Sequence, residues 1–137
     1  MRAKNLALLA RHQLASIVAT AVDFSTMVLA VEVAGLSAVW GTVIGAFHGG
    51  VANFLANRYW TFSREGSLES SPVDQGAKYV IVSACSLLWN ALGEHLLVRV
   101  GLHYVIARVL VAVSVGLLWN YPLHRGVVFA VGSKNKS

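Results

Sequence analysis

Four long apolar stretches alternate with short polar breaks, and the breaks carry most of the charge. Apolar runs of about 20 residues are what a helix needs to cross the roughly 30 Å hydrocarbon of a bilayer. The pattern predicts spans over residues 14–34, 38–56, 78–98 and 104–123. Gly35 to Ser37 joins the first pair, and Arg99 to His103, containing Gly101, joins the second. Residues 63–76, rich in serine and charge with Pro72 among them, read as the one fully solvated loop. Residues 1–12, with Arg2, Lys4 and Arg11, read as a short basic helix on the membrane surface. The apolar run behind it is long and contains Asp23, and no small-residue cleavage site ends a short apolar core. The segment is therefore expected to be retained rather than cut off as a signal peptide.

Only helices and closed barrels satisfy every backbone group in lipid, and these runs are too long and too evenly apolar for barrel strands. The expected fold class is an all-α membrane protein, with residues 1–137 forming a single four-span domain. Composition agrees: 56% of residues are hydrophobic and only 12% charged, against about 25% charged in soluble domains.

The net charge of +5 would suggest nucleic acid in a soluble chain, but here the basic residues stand at the ends of apolar runs, so no nucleic-acid partner is expected. Arg2, Lys4, Arg11, Arg58, Arg64, Lys78, Arg125, Lys134 and Lys136 fall on one side, with Arg99 and Arg108 toward the other. By the positive-inside rule both termini and the middle loop are cytoplasmic, in an inner membrane. Cys85 is the single cysteine, so no disulfide forms within the chain and thiolate metal ligation lacks a partner. No catalytic nucleophile, metal set or phosphate loop is present in the pattern, and neither a cofactor nor an enzymatic reaction is expected.

The second span ends in Asn53 to Phe62, NFLANRYWTF, and a fainter copy, NYPLHRGVVF, runs from Asn120 to Phe129, 67 positions later. At that offset Arg11 falls on Lys78, Ser16 on Ser83, Asp23 on Asn90 and Gly49 on Gly116. The chain thus reads as two tandem helical hairpins, a parallel internal repeat whose midline is the natural place for a shared site.

Several residues are costly in lipid. An ionisable group at membrane depth costs about 2.5–3.5 kcal/mol, so Asp23 and Glu94 should face the interior or a wet cavity, on polar stripes that also hold Asn90. Two readings stay open: hydrogen bonds between helices, or a polar path for substrate or protons. Gly41, Gly45 and Gly49 form a smooth groove for close helix packing, with His48 beside it as a hydrogen-bonded packing residue. Four spans enclose little volume, and the groove is the feature that favours a homodimer.

Asn53 and Asn57 share a helix face, and Arg58 follows at the helix end. A guanidinium there can hold a phosphate bidentately with amide donors beside it, and Arg125 with Asn120 and His124 offers a second such cluster. The competing reading has both arginines snorkelling to headgroups. Tyr59, Trp60 and Phe62 read as interface anchors.

At these residues the sequence resembles the GtrA-like family of small four-span membrane proteins. The resemblance rests on Asn57, Arg58, Tyr59, Trp60, Thr61 and Phe62 at the end of the second span, and it covers nearly the whole chain. It implies movement of a polyprenyl-phosphate-linked sugar across the cytoplasmic membrane for cell-surface polysaccharide biosynthesis or modification. It also implies work beside a polyprenyl-phosphate glycosyltransferase, alongside membrane lipids as partners. The phosphate would dock on Arg58 with Asn57, Asn53, Arg125 and Asn120, and the sugar would pass Asp23, Asn90 and Glu94. The second copy departs from the pattern at His124, Gly126 and Val127. Two alternatives are a non-transporting scaffold for such a transferase, and an exporter of small cations, against which the arginines argue.

Overall fold

The computed structural model describes residues 2–130. Among them all regular structure is helical: α1 (Ala3–Glu32), α2 (Ala38–Ala56), α3 (Pro72–Arg99) and α4 (Tyr104–Val115), with α2 and α4 prolonged by wider turns. Four helices, Ala3–Glu32, Ala38–Thr61, Pro72–Arg99 and Val105–Val128, are long and apolar enough to cross a membrane. The expected all-helical, four-span class is what the chain adopts. Lys134 and Lys136, which entered the charge count, lie outside the described residues.

Local sequence explains the ends. Ser37 caps α2 by accepting the Trp40 N–H at 3.4 Å, and His103 Nδ1 caps α4 by accepting that of Val105 at 3.3 Å. Pro72 opens α3, where its missing N–H removes nothing, and Arg99 complements the last turn. Gly35 and Gly101 hold φ of +69° and +99° just beyond α1 and α3, a left-handed backbone that other residues adopt at a cost.

Two readings change. Residues 1–12 are not a separate surface helix; from Ala3 onward they are the first turns of α1, whose 30 residues rise about 45 Å, longer than the hydrocarbon. The 63–76 segment is not fully solvated. It folds into 3-10 turns at Ser63–Glu65 and Ser67–Glu69 before α3 begins, and Ser67 and Gln75 are buried.

The chain forms two compact units, Met1–Leu68 and Glu69–Ser137. In the first, α1 and α2 run antiparallel through the glycine groove: Gly41 meets Val31 and Met27, Gly45 meets Asp23, and Gly49 meets Ala19 and Asp23. The groove is therefore filled by α1 of the same chain. In the second unit α3 and α4 are also antiparallel, with Gly93 against Val111 and the Trp119 indole Nε1 donating to the Val82 carbonyl at 3.1 Å.

The groove makes a stability prediction. A Cβ at Gly45 would lie 2.6 Å from the Asp23 carbonyl oxygen, which cannot move aside, whereas one at Gly50 meets nothing within 4 Å. Gly45→Ala is expected to destabilise the protein by about 1–3 kcal/mol through overpacking. Gly50→Ala should be neutral or stabilise by up to about 1 kcal/mol, as the better helix former. Unfolding in mild detergent, followed by circular dichroism, checks that the two signs differ.

Candidate functional site

The expected phosphate clamp folds inward. At Asn57–Thr61 the helix widens into a π turn, closed by the Phe62 N–H on the Asn57 carbonyl at 2.9 Å. Such turns are local excursions that recur at functional sites. Asn57 is 0% exposed, and its amide nitrogen donates to both the carbonyl and the side-chain oxygen of Asn53, at 2.8 and 2.9 Å. Arg58 is 4% exposed. Its Nη1 donates to the Ser67 carbonyl at 3.2 Å, and Ser67 Oγ donates back to the Arg58 carbonyl. The arginine thus straps the 62–68 loop over the end of the hairpin.

Burial places these side chains differently from the expectation in two ways. The donors assigned to a phosphate at Asn57 are directed to Asn53, and the guanidinium of Arg58 reaches a backbone carbonyl instead of presenting an open fork. Phe62 is not a lipid anchor, since it is fully buried with its ring 6.1 Å from that of His12. Tyr59 and Trp60 remain exposed, as anchoring requires, and each faces an arginine, with Arg58 5.4 Å from the Tyr59 ring and Arg11 5.7 Å from that of Trp60.

The second unit widens in the same way at Gly116–Asn120 and at His124–Val128, on both sides of Pro122. The lost N–H of Pro122 is thereby absorbed without breaking the helix. His124, in place of Asn57, is buried, stacked on Tyr79 at 5.2 Å and edge-on to Phe129 at 5.9 Å. Arg125 is half-buried, with Nη1 3.4 Å from the Tyr121 hydroxyl, and Asn120 is half-buried one turn earlier.

A polar cavity of about 520 Å³ lies in the second unit, lined by Ser83, Ser86, Asn90, Glu94 and Arg108 with three apolar residues. Four of these recur on one face of α3, and Ser83 to Glu94 covers about 16 Å of helical rise. Asn90 Nδ2 donates to the Ser86 carbonyl at 2.8 Å, while among the described residues its Oδ1 accepts no hydrogen bond. No ion pair joins Glu94 to Arg108 among the described residues, so a carboxylate, a guanidinium, an amide and hydroxyls are together available to a polyhydroxylated ligand. The volume falls in the roughly 300–1,000 Å³ range of small-molecule sites.

Asp23, expected on the same path, belongs to the first unit, where its carboxylate is packed at Gly45. The hydroxyls of Ser16 and Thr20 donate to carbonyls four residues back on α1 instead of bridging to another helix. His48 does the same with the Ile44 carbonyl at 2.8 Å. Sequence reasoning missed Ser86 and Arg108. The signal for Ser86 was its place between Ser83 and Asn90 at helical spacing, whereas nothing in the sequence aimed Arg108 at α3. An apolar groove of about 480 Å³, lined by Trp89, Gly93, Val111 and Trp119 among others, is a further recess of this unit. Among the described residues no group of three histidine, cysteine or acidic side chains is placed to hold a metal ion.

No curated protein and no solved structure matches the chain. The family model described as GtrA/DPMS, transmembrane domain, matches residues 11–129, which run from within α1 through the other three spans and the π turns. This multi-pass membrane protein belongs to the GtrA/DPMS transmembrane-domain family.

Proposed function

We propose that the protein translocates a polyprenyl-phosphate-linked sugar across the cytoplasmic membrane, for cell-surface polysaccharide biosynthesis or modification, without covalent chemistry on it. The observation that carries this reading is the polar cavity of Ser83, Ser86, Asn90, Glu94 and Arg108 along a span that is otherwise apolar. Taking sugar hydroxyls out of water without partners costs several kcal/mol each, about 2–7 depending on the reference state. A wall of hydroxyl, amide and charged groups about 16 Å long replaces those partners while the prenyl chain stays in lipid. Family membership supports the same substrate class.

In this reading the two units are tandem copies of one hairpin, their π turns 67 positions apart, with basic ends and both termini on the cytoplasmic side. The lipid enters from that side, where Arg125 is half-buried.

Purified protein reconstituted into vesicles with a fluorescent prenyl-phosphate sugar should speed its transbilayer movement over empty vesicles. Folded protein that moves none, yet retains a polyprenyl-phosphate glycosyltransferase on purification, would replace this reading with a scaffold role.

A further inference from the structure

A cavity of about 240 Å³ in the first unit lies between the first turns of α1 and the loop after α2, with Lys4, Arg11, Thr61, Arg64 and Glu65 as its polar lining. Three cations face one carboxylate, and Lys4 Nζ stands 3.1 Å from Glu65 Oε1, so the two arginines are in excess. Arg11 is steadied by the Trp60 ring, 5.7 Å from its guanidinium carbon.

The second, independent observation is Thr61. It is 1% exposed, and its Oγ1 is buried without a hydrogen-bond partner among the described residues. A hydroxyl so placed destabilises the fold unless something in the cavity accepts its proton. Two guanidiniums and a hydroxyl are a donor set for a tetrahedral anion, and guanidiniums bind phosphate in two-point fashion. The volume is below the roughly 300–1,000 Å³ of sites that enclose a whole drug-sized molecule, which suits a phosphate headgroup whose chains lie outside.

We propose that this cavity binds the phosphate group of a lipid whose chains remain in the bilayer. The site rests only on the first unit's own residues. Two lipids could supply the group: an ordinary anionic phospholipid, or the prenyl phosphate of the transported substrate.

Native mass spectrometry of the purified full chain in detergent tests this, with phosphatidylglycerol in one arm and a prenyl monophosphate in the other. One lipid should be retained per chain in at least one arm, and the arm that binds identifies the source. Thr61→Val keeps the shape and removes the donor; it should raise the dissociation constant about tenfold while the melting temperature holds or rises. Glu65→Gln removes the opposing charge and should tighten binding severalfold. Retention in neither arm overturns the proposal. So does wild-type affinity in both Thr61→Val and Arg11→Gln with their melting temperatures intact.

Discussion

Arg58→Ala is expected to destabilise the protein by about 1.5–3 kcal/mol, the range for a hydrogen bond made by a charged group, with the loss read as easier unfolding in mild detergent. The guanidinium is buried and donates to the Ser67 carbonyl, while the Ser67 hydroxyl returns a bond to the Arg58 backbone. Truncation leaves that carbonyl without its charged donor and frees the 62–68 turn, whose Ser67 N–H bonds the Phe62 carbonyl at 3.2 Å. Arg58→Lys should recover only part of the loss, because a flexible ammonium does not keep the planar guanidinium's place beside the Tyr59 ring. An arginine that served only to clamp a phosphate would behave differently: stability would be unchanged and only ligand affinity would fall.

That contrast shows what the sequence could and could not convey. Helix class and span count were legible, because burial in lipid imposes uninterrupted apolar length and pushes polar residues to the breaks. Gly41, Gly45 and Gly49 were read correctly as a packing groove, because spacing by four puts them on one face. Their partner was not legible, and it proved to be α1 of the same hairpin, at Asp23 and Met27. The motif Asn57-Arg58 was visible as a concentration of polar groups at a helix end. Whether such groups point outward to a ligand or inward to the fold depends on the π turn and on Ser67 nine residues on. No local periodicity encodes either.

The helix lengths illustrate the same limit. Hydropathy locates the portion of α1 that lies in lipid, but a helix continues wherever its backbone bonds and side-chain packing allow. Leu8 and His12, buried in the first unit, carry α1 back to Ala3. The cavity that Thr61, Arg64 and Lys4 share was not legible for a related reason: it is assembled from the two ends of one unit.

Asn90→Leu is expected to reduce the rate of sugar-lipid movement about 10- to 100-fold in reconstituted vesicles, the equivalent of one or two lost hydrogen bonds to a polar substrate. Asn90 stands between Ser86 and Glu94 along the cavity, held by its bond to the Ser86 carbonyl, with its side-chain oxygen open to a hydroxyl donor. Leucine has similar bulk and is favoured in lipid, so insertion and folding should not suffer. The lipid phosphate is bound, in this reading, outside the cavity, so affinity for a prenyl monophosphate lacking the sugar should be unchanged. A loss of rate with that affinity intact assigns Asn90 to the passage of the sugar. A folded variant that moves the sugar lipid at the wild-type rate would remove the cavity from the path. Glu94→Gln adds a graded test, since it keeps hydrogen-bonding capacity and removes the charge: a smaller loss than in Asn90→Leu is expected if the cavity acts by hydrogen bonding, and an equal or larger one if the carboxylate's charge is what the substrate needs.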